Sequence, residues 1–284
     1  MNGPSLPMPL IGYGGYLETQ GITNVVPLGD ASLLDSLAYP ERISADNPDE
    51  NYMGHPSVPA AIAAAQTRRL QRQLGSTRLP RATRSLNQLM LARLGQDDLR
   101  RVSESLPKTF ADDQHQRQVQ VSFAAYQAGL SVGVSLAVGG FDTHGNHDAD
   151  HLQAMQNLLN AATFVIDESE RLGIADKVAL VIGSDFGRTP GYNDGNGKDH
   201  WPLTSMMFKM PGVTGGRVIG ATSDRQGPLL IDPATLAVTG APESAPGIQL
   251  SIDHIHRSLR RYAQISDEFQ ANFPLGGEDL GLFV

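Results

Sequence analysis

The sequence predicts an α/β fold: a mainly parallel sheet with helices on both faces. Two short apolar runs rich in β-branched residues and bounded by glycine, SVGVSLAVGG at 131–140 and KVALVIGSDF at 177–186, read as strands. A long helical period separates them, which makes a βαβ unit. Strand and helix signals then continue to alternate toward the C-terminus, and alternation of this kind is what a parallel sheet covered by helices requires.

The elements follow in order. Residues 1–57 are rich in Gly, Pro, Asn and Asp, with GYGGY at 12–16 and ADNPDENYMGHPS at 45–57, and show no sustained period. They read as an irregular segment packed on the rest. Residues 58–130 are helical in pattern: PAAIAAAQTRRLQRQLG closes at Gly75, SLNQLMLARLGQDDLRRVSESL spans 85–106, and QHQRQVQVSFAAYQAGL spans 114–130. Residues 131–284 form the α/β core. Its first helix is expected from Asp148, as N-cap, to Gly173, as the glycine just past the end. Leu152, Met155, Leu159, Ala162 and Ile166 recur at steps of three and four and predict its sheet-facing side. Further strands are expected at TSMMFKM (204–210) and RVIGAT (217–222), and a late helix at SIDHIHRSLRRYAQI (251–265). The whole is expected to be one domain, 1–284.

Composition excludes several functions. The chain has 284 residues, 40% hydrophobic and 18% charged, with a net charge of −8, enough for a large core. Acidic residues outnumber basic ones, 30 to 22, and the arginines between Arg68 and Arg101 are not interleaved with aromatics, so no nucleic-acid partner is expected. With no cysteine, any metal must be held by nitrogen and oxygen ligands. No apolar run approaches a membrane span, and MNGPSLPMPLIGYGG lacks the pattern of a signal peptide.

Open α/β sheets bind ligands in the loops after the carboxyl ends of their strands. The first such loop, GGFDTHGNHDADH (139–151), places Asp142 and His144 directly after the strand. Ser184 and Asp185 end the second strand, and NDGNGKDHW (193–201) follows a glycine-rich loop. Carboxylates and imidazoles from three loops at one edge are what a hard or borderline divalent cation requires. Each cluster also has a plainer role. Asp-Thr-His suits a capped turn, Asp185 could cap its turn or pair with Arg188, and His200 could stack under Trp201. His147 is open between ligand and surface residue, His151 is expected to face water, and His55, His115, His254 and His256 are expected to be structural.

The succession FDTHGNH, a helix, VALVIGSDFGRTPGYNDGNGKDHWP and GVTGGRVIGAT resembles the domain-of-unknown-function 1501 family, within the alkaline phosphatase and sulfatase superfamily. GGYLETQG at 14–21 is similar to a segment of a subset of that family. The resemblance implies an alkaline-phosphatase-like sheet and one or two divalent ions (zinc, manganese, magnesium or calcium) flanking a small anionic ester. Asp142 and His144 would be the first ligand pair, Asp185 the second element and His200 the third. Arg188 would be a catalytic clamp on an anionic oxygen. It also implies a periplasmic or exported location.

Two departures bear on activity. Phe186 stands where phosphatases and phosphoglycerate mutases of the superfamily carry the His of an Asp-His pair, although the uncharacterised family commonly has Phe there. No strand followed by a nucleophile is legible before the helical block, Asp30 and Ser32 being the only candidates, so the chain is expected to be an N-terminal truncation or a member that has lost the nucleophile. The expected function is a metal-dependent hydrolase of phosphate or sulfate esters. The alternatives are a noncatalytic metal-binding or surface module and an inactive fragment.

Overall fold

The computed structural model describes residues 6, 8–14, 17, 19, 23, 25–27, 38, 39, 42–44, 47–55, 57–76, 79, 82, 86, 98–265 and 271–283. The fold is mixed α/β with one small parallel sheet, and the chain divides into two compact units, Met1–Val138 and Gly139–Val284.

The first unit contains β1 (Leu10–Tyr13), β2 (Val25–Pro27), β3 (Arg42–Ser44), β4 (Asn47–Asn51), α1 (Ser57–Ser76), α2 (Gln114–Gln127) and β5 (Gly133–Leu136). β1 lies between β2 and β5, parallel to both, with Ile11 opposite Val26 and Val134. Ile11 is fully buried in a core with Val102, Val121, Ala124, Ala125 and Leu130. Among the described residues of 1–57 the expectation of irregular structure is therefore corrected. The strands there are three to five residues long, too short for alternation to stand out among glycines and prolines. Asp30 and Ser32 lie outside the described residues, as does most of the segment 14–21.

α1 and α2 lie where the helical periods put them. Asp113 caps α2 by accepting from Gln116 N at 3.0 Å, satisfying one of the orphan donors of the first turn. Residues 98–105 are helical; the earlier part of the helix expected at 85–106 lies almost wholly outside the described residues.

The second unit contains α3 (His147–Arg171), β6 (Leu180–Ile182), β7 (Gly187–Arg188), β8 (His200–Trp201), β9 (Met207–Lys209), β10 (Leu230–Ile231), β11 (Val238–Gly240) and α4 (Ile252–Tyr262). Its strand pairs, β6 with β9, β7 with β8 and β10 with β11, are all antiparallel. A mainly parallel sheet is thus not what the described residues form. Apolar strand runs are alike in parallel and antiparallel sheets, and only the partner decides. RVIGAT is no strand: Gly216 and Gly220 take φ of 72° and 81° and bend the segment, while Ile219 packs against the core of Ile231, Leu280 and Leu282.

α3 begins one residue before the expected cap. Its N-cap is Asn146, in the left-handed region at φ 46°, and Asp148 and Asp150 occupy the first turn, where negative charge complements the helix dipole. The far end is as expected. Gly173, φ 68°, donates to Glu170 O at 3.0 Å and Ile174 N to Ser169 O at 2.9 Å, the two bonds of a Schellman stop. The buried side of α3 differs from the expected one. Leu152 and Leu159 are exposed, whereas His147, Ala154, Ala161, Val165, Glu168 and Ser169 are buried. Small side chains let a neighbouring backbone approach closely, and the buried Glu168 carboxylate is neutralised by two bonds from Arg171, at 2.6 and 2.7 Å.

Candidate metal centre

Two loops of the second unit build the site. The first, after Gly140, carries Asp142, Thr143 and His144 into α3. The second joins β7 to β8 and carries Asn193, Gly197 and Asp199. Main-chain bonds lace them together: Lys198 N donates to Thr143 O at 3.0 Å, His147 N donates to Asn196 O at 3.0 Å, and Gly145 and Asn196 form an isolated antiparallel bridge. Asn193 Nδ2 donates to His144 O at 3.1 Å, and Asn193 Oδ1 accepts from the amides of Gly195 (3.0 Å) and Gly197 (2.9 Å). The contact is so close at Gly197 that a Cβ would lie 1.9 Å from the carbonyl carbon and oxygen of His144.

Arg188 and His200 are directly opposite in the β7–β8 ladder, so their side chains share one face of that ribbon. On it Asp142, His144 and His200 gather, with one possible ligand atom from each lying within 4.8 Å of the others. His144 Nε2 is 3.1 Å from His200 Nε2 and 3.2 Å from Asp142 Oδ1, and His200 Nε2 is 3.6 Å from the same oxygen. Arg188 donates from Nη2 to Asp142 Oδ1 at 2.8 Å and from Nη1 to Lys198 O at 3.1 Å. The guanidinium, and then His144, hold the Asp142 carboxyl below its ordinary value. Asn193 and His144 do the same for Asp199, whose Oδ1 lies 3.0 Å from both Asn193 Nδ2 and His144 Nδ1.

The other sequence candidates take different places. Asp185 Oδ1 accepts from Phe186 N at 3.2 Å, in the capping role left open for it, and is not in the Asp142–His144–His200 group. Phe186 stacks on His200 with ring centroids 3.9 Å apart and planes 29° from parallel, so the aromatic at this position is a platform for an imidazole. Trp201, expected as that platform, donates from Nε1 to Gln226 O at 3.0 Å. His147 and His151 are not water-facing. His147 is 9% exposed and lies 2.7 Å from Thr143 Oγ1; His151 is half-buried, stacked on His147 and edge-on to Phe141. The first turn of α3 meets the second loop through His147, whose amide donates to Asn196 O and whose ring lies edge-on to Tyr192. Asn193, Asp199 and Phe186 were not singled out by spacing. The one signal for Asn193 was its place in the turn sequence NDGNG. His254 is buried and caps α4 with Ser251, in its expected structural role, whereas His256 is exposed.

His147 gives the site loop a pH dependence. Burial, and then the neighbouring His151, Lys198 and Arg188, hold its imidazole below the ordinary value of 6.5, against Asp148. Below that ordinary value the unfolded chain takes up a proton that the folded chain refuses. Stability from this group is therefore full above about pH 6.5 and falls as the pH drops toward the folded value. The urea midpoint is expected to fall between about pH 7 and pH 5.5, and to fall less in His147→Gln; equal falls in the two proteins would remove His147 as the cause.

The family model described as a protein of unknown function, DUF1501, matches residues 45–234, a span that holds Asp142, His144, Asp185, Arg188 and His200. No curated protein and no solved structure matches the chain. The match covers about two thirds of the sequence, and the chain belongs to the DUF1501 family.

Proposed function

We propose that this chain is a divalent-metal-dependent hydrolase of the sulfatase and phosphatase type, acting on phosphate or sulfate esters. One observation carries the reading: the triangle of donor atoms from Asp142, His144 and His200, with sides of 3.1, 3.2 and 3.6 Å. A tetrahedral ion with ligands at about 2.0–2.1 Å has donor–donor edges of about 3.3–3.4 Å, close to these. Two imidazoles and a carboxylate suit zinc or manganese better than calcium, which takes six to eight oxygen ligands. When bound, such an ion polarises an ester oxygen and activates a water or hydroxyl.

The chain's own groups complete the arrangement. Asp142, kept anionic by Arg188, supplies charge, and the two imidazoles supply neutral donors. Arg188, 13% exposed along its side chain and fixed by Lys198 O, offers a positive fork beside the triangle. A planar guanidinium matches phosphate or sulfate oxygens two at a time, which supports an anionic ester as substrate. The motif order supports membership of the alkaline phosphatase and sulfatase superfamily and its larger sheet. Asp185, bonded within its own turn, favours one ion over two. The noncatalytic reading, a metal-held anion site, uses the same residues.

The experiment is a panel of aryl phosphate and sulfate esters with zinc, manganese, magnesium or calcium. Turnover is expected with at least one pair. Arg188→Ala is expected to reduce kcat/KM by about two orders of magnitude, the scale for losing one charge-stabilising donor, and Arg188→Lys by less. Metal binding without turnover of any ester would leave the noncatalytic site and end the hydrolase reading.

A further inference from the structure

His144 is held from both sides. Its Nε2 faces Asp142 and His200, while Asp199 Oδ1 lies 3.0 Å from its Nδ1. Asp199 is itself fixed. Its carboxylate accepts from Asn193 Nδ2 at 3.0 Å, its amide donates to Thr189 Oγ1 at 3.1 Å, and its carbonyl accepts from Thr189 N at 2.9 Å. Asn193 in turn bonds the amides of Gly195 and Gly197 and the carbonyl of His144. The carboxylate thus stands on a braced loop, with its place set before any ligand arrives.

We infer that Asp199 is the positioning residue of this site: it fixes His144 as the Nδ1–H tautomer and leaves the Nε2 lone pair for a cation. A carboxylate can only accept at high pH, so a neutral His144 bonded to it must carry its proton on Nδ1. Free imidazole side chains favour the other tautomer, with the proton on Nε2, and in that form His144 could not be a ligand through Nε2. Asp199 reverses the preference, sets the ring plane and raises the basicity of the liganding nitrogen, as outer-shell carboxylates do. The tautomer rests on the Asp199 bond at Nδ1 together with Arg188 Nη1, which can only donate, 3.5 Å from Nε2, where Asp142 Oδ1, 3.2 Å away, already accepts from Arg188; its consequence for metal affinity rests on the proposed metal site.

Two measurements on the full chain separate these. Long-range proton–nitrogen correlation spectra of the metal-free protein, taken near pH 8.5 where an ordinary imidazole is neutral, are expected to show His144 protonated on Nδ1. Asp199→Ala should shift it toward Nε2–H, and Asp199→Asn, whose amide oxygen can still accept, should shift it less. Zinc titration against a chelator should show affinity falling by roughly 10–100-fold in Asp199→Ala, with the asparagine variant between. The Asp199 side chain is 58% exposed, so little packing is lost, and circular dichroism checks the fold. Nε2–H in the wild type, or a tautomer unchanged in Asp199→Ala, overturns the inference. If the tautomer shifts but even the wild type takes up no zinc, Asp199 keeps its role toward His144 and the metal reading is what fails.

Discussion

Asp142→Ala is expected to leave the chain folded and strip it of its metal. The Asp142 side chain is 77% exposed and makes its contacts with Arg188, His144 and His200 alone among the described groups, so truncation opens no cavity. Two effects then act in the same direction. The site loses its one charged ligand, and Arg188 loses the carboxylate that balances it, leaving the guanidinium charge uncompensated beside the cation. The affinity loss should exceed the roughly 10–100-fold cost of deleting an outer-shell partner, and Asp142→Ala with His200→Ala should retain nothing. Elemental analysis after incubation with zinc, manganese, magnesium or calcium, followed by gel filtration, reads the result directly. The wild type should carry roughly one equivalent of at least one of them, since three protein ligands and an open position describe a single catalytic-type site. A wild type that emerges metal-free from all four would end the proposal.

Gly197→Ala is expected to have the largest structural effect of any single added methyl in the site. Contact between carbon and backbone atoms begins near 3.4 Å, and here the new Cβ would lie 1.9 Å from the carbonyl group of His144. The obstructing atoms are backbone and cannot rotate away. The 193–199 loop must therefore lift from the 142–147 loop, breaking some of the bonds that Asn193 and Lys198 make across the gap. Overpacking of this kind costs about 1–3 kcal/mol or more. Because both loops belong to the site, the loss should appear twice, as a lower melting temperature and as weakened metal binding, while helical content is kept. An alanine variant that binds zinc like the wild type would show that the loops do not meet this closely in solution.

Much of this arrangement was legible in the sequence, for physical reasons that differ between elements. α1, α2 and α4 could be read because helical periods and their caps are local: Asp113 before α2 and Gly173 after α3 each bond within a few residues. Asp142, His144 and His200 were legible as chemistry, since imidazole and carboxylate are the ligand types left to a chain without cysteine. Strand partners were not. KVALVIGSDF looks the same whether it pairs in parallel or, as here, antiparallel with Met207–Lys209. The buried face of α3 is not the one that apolar size indicates: small residues at Ala154 and Ala161 line the packed side. The roles of Phe186 and Asp199 were illegible for a third reason. Their importance lies in what they touch, His200 and His144, at separations of 14 and 55 residues.

The two site loops are joined mostly through their main chains: Lys198 N to Thr143 O, His147 N to Asn196 O, and the bridge between Gly145 and Asn196. Main-chain bonds are indifferent to side-chain identity, so a position such as Asp194 can accept many residues, whereas Asn196, in the left-handed region at φ 54°, favours asparagine or glycine. Those bonds are not indifferent to length. One residue inserted or deleted between Gly197 and His200 would shift His200 to the opposite side of the β7–β8 ribbon, away from Arg188. Spacing is therefore a constraint of its own: the count of residues from Asn193 to His200 is held as firmly as the identities of Asn193, Gly197, Asp199 and His200 within it.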